Sequence, residues 1–311
     1  MTEKTEFTFL SSDGKTKLHG IQWLPKDTPR AIVQIAHGVA EYIDRYDPFA
    51  RFLNEQGIAV VGHDHLGHGA SVTENGTPVY FGDGNTWQTV VDDMYLLHNR
   101  IRQQFPQSPT VLMGHSMGSF LARTYLIRYP GTVKAAIIMG TGWQGSLILT
   151  GGLFMSKLVA LSGGNAATSD FITNLAFGSY NKRFKPQRTA FDWLSADTDN
   201  VDAYIADPLC GQPTTVGLFR EMLKGFRFNQ KFSNLDKMSH ETPVLLISGQ
   251  EDPVGDYGAG VHQTYLEMKR SGVADCTVKL YPGLRHEILN EKAQQSQVFA
   301  DIAAWLEEKL A

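Results

Sequence analysis

The sequence predicts an α/β fold: a mostly parallel β-sheet with an N-terminal antiparallel hairpin, helices on both faces, and a helical cap inserted before the last strands. Three observations predict it. Up to residue 140, short apolar runs alternate with amphipathic stretches, as strands buried on both faces alternate with crossover helices. Over residues 141–236 that alternation disappears, and from 237 it resumes. Between these blocks, residues 111–118 run Val-Leu-Met-Gly-His-Ser-Met-Gly, an apolar strand ending on a serine between two glycines. The expected organisation is a core of residues 1–140 and 237–311 with a cap, or lid, of residues 141–236.

With 311 residues and 42% hydrophobic content, the chain can bury the core of one sizeable domain with an insertion. A net charge of −4 gives no electrostatic reason to expect nucleic acid or an anionic membrane as the main partner. The first ten residues carry Glu3, Lys4 and Glu6 and lack an apolar core of signal-peptide length, so a cytoplasmic location is expected. Cys210 and Cys276 lie outside any C-x-x-C pattern and read as free thiols.

In chain order, residues 6–10 and 17–23 alternate around Ser11, Ser12, Asp13 and Gly14, a hairpin at the sheet edge. Residues 31–36 form a buried strand ending at His37-Gly38-Val39-Ala40-Glu41, where His37 reads as a structural imidazole. Asp47 as N-cap, Pro48 as first helical residue and Gly57 as terminator bracket a helix. A strand over 58–62 leads to a loop holding His63, His65 and His68. Their spacing matches no zinc pattern, so Asp64 and Ser71 are expected to bind loop backbone while Gly67 and Gly69 take positive φ. Val90, Met94, Leu97 and Ile101 recur at helical steps, predicting a helix over 87–105. The strand at the Ser-Gly motif, a helix to Arg128 and a strand over 135–139 complete the first block.

In the insertion, residues 147–161 are apolar but interrupted by Gly151 and Gly152, a stretch too short and broken to span a membrane. Helices are expected over 170–177 and around 202–205. Lys182, Arg183, Lys185 and Arg188 read as a solvated loop, and Asp197, Asp199 and Asp202 as helix capping. The core resumes with strands over 243–248 and 277–281 and helices over 258–271 and 293–310.

The pattern G-x-S-x-G places its serine on a strained strand-to-helix turn, so that Oγ projects beyond the sheet. The alternative is a glycine-flanked turn with an unremarkable serine. A nucleophilic serine needs a base, and the base needs an orienting carboxylate. In this topology the order is serine, acid, histidine. His262 falls inside a predicted helix and His240 precedes the strand presenting the acid, which leaves His286, in the loop after the last strand. Asp252 ends the preceding strand, with Glu251 and Asp256 as fallback acids; an Asx-turn is the structural alternative for Asp252.

With these residues placed, the chain resembles the α/β-hydrolases of the monoacylglycerol lipase and lysophospholipase group. The resemblance rests on His37-Gly38 with Glu41, Arg45-Tyr46, Asp64-x-x-Gly67-x-Gly69-x-Ser71, Gly114-His115-Ser116-Met117-Gly118, Gly249-x-x-Asp252 and Gly283-x-x-His286. It implies Ser116, Asp252 and His286 as a hydrolytic triad, with the backbone N–H groups of Val39 and Met117 as oxyanion donors. Val39-Ala40 departs from the family, whose members often carry a small residue followed by glycine. The implied reaction is ester hydrolysis through an acyl-enzyme, without metal or organic cofactor, on a small-molecule or lipid ester such as a monoacylglycerol or lysophospholipid. Leu147, Ile148, Leu153, Phe154 and Leu158 are candidates to line an acyl groove, and the cap for transient membrane-surface contact. An aminopeptidase or amidase on the same triad, and a non-catalytic binding protein on the same fold, are the rival readings.

Overall fold

The computed structural model describes residues 3–311. Its eight-stranded sheet runs β1 (Glu3–Leu10), β2 (Lys17–Leu24), β4 (Ile58–His63), β3 (Ala31–Ala36), β5 (Thr110–His115), β6 (Ala135–Met139), β7 (Val244–Gly249), β8 (Cys276–Tyr281) in spatial order. The pairings of β1 with β2 and β2 with β4 are antiparallel, and all others are parallel.

Successive residues of the central strands feed opposite layers, as a period of two requires. Leu112 faces one apolar cluster while Val111 and Met113 face the other, and all three are fully buried. Burial of each contributes about 1.5–3 kcal/mol, which is why these runs contain almost no polar residue. One layer is α1 (Asp47–Asn54) and α10 (Gln295–Leu310). The other is α2 (Thr86–Gln104), α3 (Met117–Arg128) and α9 (Ala259–Arg270). Asp47 does not cap α1. It lies inside the first turn, where its carboxylate takes the Trp23 indole N–H at 2.8 Å and Arg51, a stronger attraction than the local backbone offers.

Between β6 and β7 the chain runs through α4 (Ser146–Gly163), α5 (Asp170–Phe177), α6 (Thr198–Ala206), α7 (Val216–Asn229) and α8 (Phe232–Leu235). Here the expected break in the first helix is corrected. α4 passes through Gly151 and Gly152 without interruption, and by length and composition it is long and apolar enough to cross a membrane. Gly152 is a contact residue: a Cβ there would stand 2.6 Å from Leu223 of α7, so glycine lets the two helices close together. Gly151 faces open space.

Candidate active site

Ser116 sits between β5 and α3 with φ 54° and ψ −123°, a conformation that costs an L-residue energy and persists only where the surroundings impose it. The two glycines of the motif impose it. A Cβ on Gly114 would lie 2.3 Å from the Gly118 carbonyl oxygen, and one on Gly118 would lie 2.0 Å from the Ala36 carbonyl oxygen. Only hydrogens fit where α3 crosses the ends of β5 and β3, and the serine is carried to the tip of that crossing.

The loop after β3 is fixed by buried polar groups. His37 donates from Nδ1 to the Gly38 carbonyl at 2.8 Å and accepts the His65 N–H on Nε2 at 2.9 Å, which sets a neutral tautomer. The Gly38 N–H donates to Glu41 Oε1 at 2.5 Å, and the same carboxylate receives Tyr46 Oη, His115 Nδ1 and Arg45. Burial pushes the Glu41 carboxyl up, but His115 and Arg45 outweigh it and hold it well below the usual carboxylate range. Arg45 also makes a two-pronged pair with Glu287, the neighbour of His286, at 2.7 and 2.8 Å. One ionic network therefore braces the loop after β3 and the loop after β8.

Asp252 is fully buried at the end of β7. Its Oδ2 accepts His286 Nδ1 at 2.9 Å and Ser248 Oγ at 3.1 Å, while Oδ1 accepts the Val254 N–H at 2.9 Å. The Asx-turn and the imidazole contact thus coexist, one oxygen for the turn and the other for the ring. Glu251 and Asp256, the fallback acids, are solvent-exposed. The His286 ring packs against His115 and Trp193 with centroids 4.8 and 5.0 Å apart, and its buried Nε2 has no hydrogen-bond partner among the described residues.

Two cavities meet at Ser116. One, of about 250 Å³, also touches His286 and Val39 and mixes Trp193, Phe177 and Leu194 with Thr173, Asn174 and Gln212. The other, of about 120 Å³, adjoins Val39 and Met117 and is lined mainly by apolar side chains, among them Phe120, Leu149, Phe219, Met222, Leu223 and Phe226, together with Gln144. Of the five candidate groove residues, Ile148 reaches this second cavity. Leu153 is half-buried against the core, and Leu147, Phe154 and Leu158 project into solvent; these four line neither cavity.

The histidines after β4 are buried. The rings of His65 and His68 pack against His37, and His63 meets His65 edge-on; among the described residues no group of three His, Cys, Asp or Glu side chains is arranged to hold a metal ion. Asp64 binds the N–H groups of Ile43 and Ala70, and Gly67 and Gly69 have positive φ.

A family profile described as Hydrolase_4, serine aminopeptidase, S33, matches residues 27–293. The chain belongs to this family. It is 28% identical to a monoacylglycerol lipase of Mycolicibacterium smegmatis, over 97% of each chain. It is 27% identical to the monoglyceride lipase of Rattus norvegicus, over 93% of this chain and 86% of that one. Among solved structures it is similar to a thermostable carboxyl esterase from Bacillus coagulans, with a TM-score of 0.92, 27% identity and full coverage of both chains. These likenesses place the Hydrolase_4 chain among the α/β-hydrolases of the monoacylglycerol lipase group, which are carboxylic ester hydrolases.

Several residues of this Hydrolase_4 site carry no local signal. Trp193 reaches the cavity from a short 3-10 turn and Tyr204 from α6, and no motif in the sequence singles out either side chain. For α4 a signal did exist: Leu149, Gly152 and Ser156 recur at three and four residues and are the buried stripe.

Proposed function

We propose that this hydrolase cleaves long-chain carboxylic esters of small alcohols, monoacylglycerols or lysophospholipids, through an acyl-enzyme on Ser116. The observation that carries the reading is the pairing of cavities at Ser116: an apolar one of a size to take an acyl chain beside a mixed one suited to a glycerol or head-group moiety. His286 takes the Ser116 proton, Asp252 holds the imidazole with Nδ1 protonated, and the N–H groups of Val39 and Met117 receive the oxyanion. Water then releases the acid. Residues 141–236 act as the cap that sets specificity. The exposed side of α4 and α5 rests on lipid surfaces while substrate is drawn in.

The test is the acyl-length profile of kcat/KM on monoacylglycerols, set against turnover of aminoacyl amides. Each methylene that enters a fitting groove contributes about 0.8 kcal/mol, so kcat/KM rises about fourfold per carbon until the cavity is full. A flat profile, or faster turnover of the amides, refutes the lipid-ester reading. With the same substrate, Ser116→Ala abolishes turnover and fluorophosphonate labelling, and Asp252→Asn lowers kcat by about 10⁴.

A further inference from the structure

We infer that Tyr204 is a positioning residue for the oxyanion hole, acting from the inserted segment through the carbonyl of Ala40. The inference rests on the proposed role of Val39 as an oxyanion donor.

Ala40 follows Val39 and has φ 52°, in the left-handed region where a Cβ crowds the backbone and glycine is the usual occupant. Something must hold an alanine there. Its carbonyl receives two hydrogen bonds, from Tyr204 Oη at 3.0 Å and from the Gly211 N–H at 3.0 Å, and both donors belong to the insertion. A third tether runs nearby, from Tyr42 Oη to Asp207 at 2.7 Å.

The clamp is built with little slack. Gly211 has φ 68°, and a Cβ on it would stand 3.1 Å from the Tyr204 ring and 3.2 Å from Phe191, so glycine lets its N–H arrive alongside the tyrosine. The Tyr204 ring is buried, with Phe191 at 5.3 Å and the Arg45 guanidinium 5.0 Å from its centroid. On the other side of Val39, the Gly38 N–H is fixed by Glu41, a residue of the core. Val39 is thus held between a core anchor and a cap anchor, and only the second moves with the cap. Ala40, Tyr204 and Gly211 all border the larger cavity at Ser116. A cap segment displaced from residues 204–211 releases Ala40 and spoils the oxyanion hole, so full catalytic competence requires the cap in place.

The experiment is a double-mutant cycle of Tyr204→Phe and Ala40→Gly, using p-nitrophenyl octanoate, the tetrahedral mimic octylboronic acid, and octanoate as the planar ligand. Tyr204→Phe lowers kcat about tenfold with KM within about twofold, and weakens octylboronic acid by a similar factor while octanoate binding is unchanged. In the Ala40→Gly background, where the left-handed backbone needs no clamp, Tyr204→Phe costs less than about threefold. Equal losses in the two backgrounds at matched Tm, or a rise in KM with kcat unchanged, overturn the inference. Fluorophosphonate labelling of the wild type separates the two levels. If Ser116 is labelled and Tyr204→Phe behaves as wild type, only the clamp falls; if Ser116 is not labelled, the reading beneath it falls too.

Discussion

At the scale of the residue, Ser116 stores energy that the fold supplies. Its positive φ and the tight crossing of Gly114 and Gly118 are two sides of one geometric demand, that a side chain stand clear of the sheet edge. Replacing Ser116 by glycine removes the strained Cβ, at the cost of a more flexible unfolded chain. Ser116→Gly is expected to raise unfolding free energy by about 1 kcal/mol, read from the urea midpoint, while turnover is lost. A lower midpoint would show that the serine conformation is relaxed. The residues of this turn were legible in the sequence because the constraint is local and glycine marks it. The pairing of Asp252 with His286 was legible for a different reason: chain order and strand ends leave few carboxylates and imidazoles that could meet there. Tyr204 was not, because what selects it is a carbonyl 164 positions earlier.

At the scale of the element, α4 divides what periodicity reports from what it cannot. The composition of the helix is apolar all round, so hydropathy alone does not say which side meets α7 and which meets solvent. The small residues mark it, since Gly152 and Ser156 lie with Leu149 on the buried stripe while Leu147, Phe154, Leu158 and Leu161 turn away. Leu147 and Leu161 are 87% and 85% exposed, and Phe154 and the Phe171 of α5 stand out with them. Isolated exposed leucines need no explanation, but a contiguous apolar face of this kind marks an interaction surface. Under the proposed function that surface is lipid. Leu147→Ser with Phe154→Ser is expected to weaken binding to neutral phosphatidylcholine vesicles by about tenfold or more, measured by sedimentation, and to leave kcat on a soluble short-chain ester unchanged. Vesicle binding equal to wild type would remove the surface role of α4.

At the scale of the whole molecule, a set of neutral imidazoles lies under the loop after β3. Burial lowers His37 and His65, and lowers His63 and His68 to about 3 each, from an ordinary value of 6.5. His19, through its hydrogen bond to Asp64, is raised; in His115, burial opposes but Glu41 wins, and it too is raised. Groups whose folded value is depressed contribute stability that is complete above the unfolded value and is lost as pH falls toward the folded one. The lowered histidines outnumber the raised ones, so the protein is expected to lose stability from about pH 6.5 downward. Each imidazole kept neutral against protonation contributes up to about 1.4 kcal/mol per pH unit. Urea midpoints at pH 7.5, 6 and 5 test this, and His63→Phe should flatten the profile. A midpoint that holds steady down to pH 5 would contradict it. Sequence reading found these histidines but not their state, because neutrality follows from burial by distant elements rather than from spacing.

The strand order has a consequence for synthesis. Ser116, Val39 and Met117 follow strands β5 and β3, which are completed before the insertion begins, whereas Asp252 and His286 come after it, in the loops that follow the last two strands. As the chain leaves the ribosome, Ser116 is therefore made long before Asp252 and His286, its partners under the proposed function, and the insertion emerges in between. Under the proposed function a growing chain carries a serine with no base to activate it, and hydrolysis begins only once β7 and β8 have joined the sheet beside an already synthesised insertion.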